Sequence, residues 1–349
     1  MTYQYERVIT PASGLRLHLN ENTAGCSPRV LAALQTLSRE QAGFYPDYQE
    51  AIEACSAHLG VPSDELLLTN GLDEGILAAA VCATRDRSIA EPEAIVVMPA
   101  FDMYAACADA TGARVVEVPM GADFAFPTDA VLAAINERTR IIFLTTPNNP
   151  TGQSIESSII LRIAAVAPQA IVFVDEAYAD FAGETLLGSQ EARRVTNIVV
   201  GRTFAKAHGL AALRVGAVVA DAGVLEGFRR VVPPYSLNVC AAVALCAALD
   251  DTEYYNWYLD QVRSSKEALY GCLDRLDVRY WKSAANFVLV DFGSDLRRVV
   301  DGLAARQVFI RDRSLDPACP GCARITAGVL AHTRTCISAL EEVMCGAAS

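Results

Sequence analysis

An α/β fold, in which a large and mostly parallel seven-stranded sheet lies between helices and joins a smaller α+β unit, is predicted by three features of this sequence. Seven short apolar runs recur up to Ala220, and helical patterns separate most of them. Strands read this way when buried on both faces, because parallel neighbours need helical crossovers that cover the sheet. Several of the runs end in Gly, Pro, Asn or Asp, which turn a chain at a strand tip. After Pro233-Pro234 the alternation stops and a long helical region begins.

The chain has 349 residues, 52% hydrophobic and 20% charged, enough to bury a large core. It divides on this reading into an N-terminal arm over 1–30 that belongs to the small unit, a large unit over 31–250, and a connecting helix with the rest of the small unit over 251–349. The net charge of −12, from 29 basic and 41 acidic side chains with no Lys/Arg-rich run, argues against nucleic acid or an anionic membrane as partner. No apolar run approaches the ~20 residues of a spanning helix. Met1 to Glu6 also lacks the order of a signal peptide, so a cytoplasmic location is expected. Most of the eleven cysteines, such as Cys55, Cys82, Cys107, Cys240 and Cys246, lie singly in Ala-rich surroundings and read as small reduced core residues. Cys319-Pro320-Gly321-Cys322 has the spacing of half a zinc site, a redox dithiol or a turn. No second pair or histidine cluster joins it, which favours the turn and predicts no metal.

In chain order, Leu15-Arg16-Leu17-His18-Leu19-Asn20-Glu21-Asn22 alternates and breaks at Gly25 and Pro28, predicting an extended arm that enters a helix over 29–37. Phe44-Tyr45-Pro46-Asp47 predicts a turn with an exposed aromatic, followed by an amphipathic helix over 48–58. Leu66-Leu67-Leu68-Thr69-Asn70 reads as a buried strand, and Gly71-Leu72-Asp73-Glu74 opens a helix to about 83. Such a helix start offers free N–H groups and a positive dipole end to an anion. The same residues also describe an ordinary capped helix. Further strands are predicted over 94–98, 114–118, 140–145, 170–175, 197–202 and 215–220, the last one or two as hairpin-like exceptions. Helices over 102–111, 127–136 and 156–167 alternate with them. Phe101 falls just past a strand end, the edge where open parallel sheets bind ligands.

Two polar clusters end buried strands. Pro147-Asn148-Asn149-Pro150-Thr151-Gly152 is more rigid than a connection requires, although a tight turn also accounts for it. Asp175-Glu176-Ala177-Tyr178 places a carboxylate at a strand tip, where burial costs several kcal/mol without a partner. Gly201-Arg202-Thr203-Phe204-Ala205-Lys206 then carries a lysine onto a turn between two apolar strands, with Arg214 eight residues on. A desolvated lysine amine attacks aldehydes, and an arginine there suits a phosphate. A solvated loop lysine is the other reading of this stretch alone. Beyond Pro233 the pattern predicts a helical region over 239–276 broken near Asp250, strands over 286–292, 308–311 and 323–326, and helices over 295–305 and 331–344.

Taken together, the strand ends present a lysine, a buried aspartate, a tyrosine, an asparagine, an aromatic ring, a phosphate-type helix start and an arginine. On Asn148-Asn149-Pro150-Thr151-Gly152, Asp175-Glu176-Ala177-Tyr178 and the Lys206 to Arg214 spacing, the chain resembles the fold-type I pyridoxal-phosphate aminotransferases over nearly its whole length, and within them the histidinol-phosphate aminotransferase group. The resemblance implies a cofactor, pyridoxal 5′-phosphate, held covalently by Lys206, which afterwards moves the proton at the substrate's Cα. It implies Asp175 at the ring nitrogen, Asn149 and Tyr178 at the ring oxygen, and Phe101 on the ring face. The phosphate would lie on Gly71, Leu72 and Asp73 with Thr203 and Arg214, and Tyr45 would reach it from the partner subunit of a homodimer. Arg324, Arg311, Asn20 and Asn286 would bind the substrate. The implied reaction is a ping-pong transamination between histidinol phosphate and 2-oxoglutarate. An aminotransferase for another amino acid, such as an aromatic one, or a decarboxylase of a phosphorylated amino acid, would use the same frame. A non-catalytic relative would have lost Lys206 or Asp175. Three residues depart from the family's usual pattern: Ala205 where Ser commonly donates to the phosphate, His208 where a nonpolar residue is usual, and Ala212 in place of Gly.

Overall fold

The computed structural model describes residues 11–86 and 88–346. The first ten residues of the arm, Met1 to Glu6 among them, lie outside the described residues. Twelve strands form two sheets among the described residues. They are β1 (Leu15–Leu17), β2 (Leu66–Thr69), β3 (Glu93–Met98), β4 (Arg114–Pro119), β5 (Thr139–Thr145), β6 (Ile171–Asp175), β7 (Ile198–Thr203), β8 (Gly216–Ala220), β9 (Arg279–Trp281), β10 (Phe287–Asp291), β11 (Val308–Asp312) and β12 (Cys322–Thr326).

The larger sheet runs in the order β2-β8-β7-β6-β5-β3-β4. Its parallel pairs are β3 with β4, β3 with β5, β5 with β6 and β6 with β7; β8 runs antiparallel to both β7 and β2. The expected hairpin-like exception is therefore β8, which returns beside β7 after the Lys206 segment. Alternate residues of each strand feed two separate cores. Val172 and Val174 pack with helices Gln49–Leu59, Ser157–Val166 and Val239–Asp250, while Phe173 packs with Leu72–Thr84, Met103–Ala110 and Ala222–Arg229. Both faces are thus dry, which is why these strands read as continuous apolar runs. The consequence for function is directional: β3, β5, β6 and β7 all end on the same edge.

Helix Leu72–Thr84 begins at that edge. Gly71 precedes it with φ +73°, and a Cβ there would run into the Arg214 guanidinium. Glycine is thus required twice at that position, by backbone and by space. The helical break expected near Asp250 falls at Asp251, which leaves helical geometry (φ −90°, ψ 66°) and caps helix Thr252–Arg275 by accepting from the Tyr254 N–H at 3.3 Å.

The second sheet has the order β1-β11-β12-β10-β9. Here the arm is more than an extended segment: β1 pairs in parallel with β11, Leu17 opposite Ile310. One face of this sheet packs on helices Leu296–Ala305 and Leu330–Cys345 and on the end of Thr252–Arg275. Its other face turns toward the first sheet, with Phe287 set edge-on against Tyr178 at 5.1 Å between centroids. Strand β9 and helix Ala222–Arg229 carry patterns too short or too mixed to stand out in the sequence. Cys319 to Cys322 form a tight turn, closed by a 3.0 Å bond from the Cys322 N–H to the Cys319 carbonyl, with Gly321 at φ +77°.

Candidate active site

A cavity of about 370 Å³ opens where β5, β6 and β7 end, between the two sheets. Asp175, the last residue of β6, is 4% exposed on its wall. Burial pushes its carboxyl up to about 6, against hydrogen bonds from the Tyr104 hydroxyl (2.6 Å) and the Ala177 N–H (2.8 Å) that pull it down. A carboxylate so placed favours a cationic partner in the cavity. Tyr104 in turn accepts from the Thr145 hydroxyl at 2.9 Å and stacks on Phe143 at 5.1 Å, so its donor direction is fixed.

Lys206 lies in the connection from β7 to β8 and reaches the same cavity. Its Nζ donates to the Leu19 carbonyl at 3.1 Å and stands 5.9 Å from the centre of the Tyr178 ring. The Tyr178 hydroxyl accepts from Asn20 Nδ2 at 3.0 Å, which ties the arm to the β6 tip. In the Asn-Asn pair the two amides divide the work. Asn148 holds the loop, its Oδ1 accepting from Thr151 N and Oγ1 at 3.2 and 2.9 Å and its Nδ2 donating to the Pro99 carbonyl at 3.2 Å. Asn149 faces the cavity and accepts from Arg324 Nη1.

Arg324 is buried, which lowers its guanidinium to about 10. Nη2 donates to the His18 carbonyl at 2.8 Å, while Nε has no hydrogen-bond partner among the described residues. Arg311 is its direct neighbour across β11 and β12 and lines the same wall. Phe101 borders the cavity edge-on to Tyr104, at 5.7 Å and 84°. At the other end, Leu72, Asp73, Thr203, Ala205 and Arg214 close the cavity, and Arg214 pairs with Asp73 at 2.8 Å.

Three of the residues expected at the site stand off the wall. Gly71 sits behind Arg214, where its missing side chain makes room. Asn286 lies behind Asn20 and donates to its carbonyl at 3.1 Å. Tyr45 is 80% exposed and stacked on Tyr235 at 4.3 Å, outside the cavity of its own chain. The wall residues that escaped the sequence reading include Tyr104, His18 and Arg313. For Arg313 a signal existed, since it lies two residues beyond Arg311 and so on the same side of an extended chain. The alternation Leu17-His18-Leu19 marks His18 in the same way.

These residues fit pyridoxal phosphate. A buried carboxylate raised by desolvation suits a protonated ring nitrogen, a lysine amine lies within the same cavity, and a guanidinium beside a helix N-terminus suits a phosphate. The comparisons with known proteins agree. The family model "Aminotransferase class I and II" matches residues 12–340. The histidinol-phosphate aminotransferase of Methanococcoides burtonii is 33% identical over 343 residues, 96% of this chain and 91% of that protein. The enzyme of the same name from Methanocella arvoryzae is 34% identical, with the same shares covered. Among solved structures, histidinol-phosphate aminotransferase from Sinorhizobium meliloti in complex with pyridoxal-5′-phosphate superposes with a TM-score of 0.81 at 26% identity, covering 95% of this chain and 91% of that one. The chain therefore belongs to the class I and II aminotransferases, the transaminases that depend on pyridoxal phosphate.

Proposed function

We propose that this aminotransferase moves the amino group of histidinol phosphate to 2-oxoglutarate by a ping-pong cycle. The observation that carries the choice of an anionic donor is Arg324: a buried guanidinium on the wall that also holds Lys206 and Asp175, with Nε unpartnered among the described residues. An unpaired buried donor of this kind costs about 1–3 kcal/mol, which an anion on the substrate offsets. The relatives' substrate, histidinol phosphate, carries such an anion, and so does 2-oxoglutarate, which enters the same cavity in the second half of the cycle.

Pyridoxal phosphate, when bound, supplies a ring that withdraws electrons from the substrate's α-carbon. Asp175 keeps the ring nitrogen protonated, and its own burial becomes favourable through that pairing. Asn149 and Tyr178 hydrogen-bond the ring oxygen. Phe101 packs on the ring, and the start of helix Leu72–Thr84 with Thr203 and Arg214 takes the phosphate, as the position of Gly71 allows. Lys206 Nζ, held by the Leu19 carbonyl, takes the proton from the substrate's Cα and returns it, a role that contributes roughly 10²–10⁴ in rate. Asn20, Arg311 and Arg324 grip the substrate's anionic end, with Asn286 fixing Asn20.

The same proposal includes a homodimer in which Tyr45 of each chain reaches its partner's cofactor phosphate, supported by the exposure of Tyr45. It also includes the division near residue 250 into a cofactor-holding unit and a substrate-gripping unit, and a cytoplasmic site of action. Among the described residues, no helix is long and apolar enough to cross a membrane. The test is a ranking of kcat/KM with 2-oxoglutarate as acceptor. Histidinol phosphate should exceed phenylalanine, tyrosine and other unphosphorylated amines at least tenfold. A higher value for an aromatic amino acid, or release of carbon dioxide from a phosphorylated amino acid, would replace this substrate.

A further inference from the structure

Among the polar side chains of the cavity wall that the roles above leave unused is a histidine. His18 follows β1 directly and is 3% exposed, and neither ring nitrogen has a hydrogen-bond partner among the described residues. Strand pairing fixes where it stands. Leu17 lies opposite Ile310 on β11, so His18 comes beside Arg311, and Arg311 lies opposite Arg324 on β12. Leu17, Ile310 and Ile325 point into the small core on the far face, which leaves His18, Arg311 and Arg324 in a row on the cavity face.

We infer that His18 is a specificity-determining residue that donates an imidazole N–H to the phosphate of the amine donor, beside the guanidinium groups of Arg311 and Arg324. The inference rests on the proposed reading of this wall as the seat of the donor's anion. A phosphate monoester has three terminal oxygens and a carboxylate two, so a phosphate held by a guanidinium fork keeps an oxygen for the imidazole N–H, whereas a carboxylate held the same way has none to spare. Arg313, another cation on this wall, pairs with Asp316. Burial first, then Arg16, Arg311 and Arg324, holds the imidazole below its ordinary range against the pull of Glu21, so at neutral pH it is uncharged, with one N–H to give. Two unsatisfied nitrogens in a buried ring are unfavourable without a ligand, and the phosphate satisfies one of them.

The test is calorimetric titration of the cofactor-loaded protein with propyl phosphate and, separately, with succinate, for the wild type, His18→Leu and His18→Gln. Retention of the cofactor's absorbance band reports folding in each variant. His18→Leu should weaken propyl phosphate roughly 10- to 100-fold and change succinate less than about threefold; His18→Gln, which keeps bulk and an N–H, should recover at least part of the loss. Equal loss of both ligands, or no loss of propyl phosphate, overturns the inference. If His18→Leu does not fold, His18→Phe, which keeps a buried ring without an N–H, takes its place: selective loss of propyl phosphate there upholds the inference, and equal loss of both ligands or no loss overturns it. Conversion of histidinol phosphate by the wild type is read independently. Selective loss of the phosphate ester without that conversion removes the proposed substrate and leaves the role of His18; conversion without selective loss removes the role of His18 alone.

Discussion

The Tyr104 hydroxyl donates a 2.6 Å hydrogen bond to Asp175 Oδ2, its neighbour on the cavity wall. The bond opposes the effect of burial on that carboxyl, so Tyr104 keeps Asp175 ionised where desolvation would protonate it. Tyr104→Phe should therefore raise the carboxyl further. A bond to a charged group is worth about 1.5–3 kcal/mol, so the half-reaction with an amine should slow roughly 10- to 100-fold, with its acidic limb moved to higher pH. Stopped-flow absorbance across pH 5–9 checks both.

Asp175 also predicts a pH dependence of the cofactor-free protein. Its carboxyl rises from 3.8 to about 6 on folding, so the folded state binds the proton more tightly than the unfolded chain does. Stability from this group is present below about pH 4 and lost as pH rises to about 6, by about 3 kcal/mol in all. Asp175→Asn removes the penalty. The stability difference between variant and wild type in urea should grow in favour of the variant between pH 4 and 6 and level off above. A difference independent of pH would contradict this.

Arg202 anchors the underside of the same strand tips. It pairs with Asp180 at 2.6 Å and Glu176 at 3.2 Å, all three side chains nearly inaccessible. Burial pushes Asp180 up, yet Arg202 and the nearby histidines hold it below its ordinary range. Arg202→Met leaves two buried carboxylates uncompensated and should cost about 3–5 kcal/mol in urea unfolding. KM values of the folded fraction should change little, because Arg202 does not line the cavity.

Ala205 presents a methyl group at the end of the cavity proposed for the cofactor's phosphate, lined also by Thr203 and Arg214. Ala205→Ser adds a donor there, and release of cofactor on dialysis should slow by about tenfold or more, within the range of one hydrogen bond to a charged group. Unchanged release would mean that the Thr203, Arg214 and helix-start donors already satisfy the phosphate.

The seven strands of the larger sheet were legible because both faces are dry and each strand is therefore a plain apolar run. Lys206, Asp175, Asn149 and Phe101 were legible because parallel strands deliver their end residues to one edge. What the sequence hid depends on long-range pairing. Leu15–Leu17 is too short to declare itself and becomes a strand only through β11, nearly 300 residues away, and that pairing is what brings His18 to Arg311. Tyr104 reads as one more apolar residue of helix Met103–Ala110, and its role exists only because Asp175 ends above it. The resemblance implies a substrate contact for Asn286, whereas its amide donates to the Asn20 carbonyl from behind the wall, a contact that the linear sequence does not show.

The central claim is that Lys206 and Asp175 in this cavity act on the amine of histidinol phosphate. The most direct test is to add histidinol phosphate, without any keto acid, to the protein loaded with pyridoxal phosphate and follow the visible spectrum. The account predicts loss of the lysine-linked cofactor band with stoichiometric formation of pyridoxamine phosphate, and no such band in Lys206→Ala. A band that persists in Lys206→Ala, or a wild-type spectrum that histidinol phosphate leaves unchanged, would contradict it.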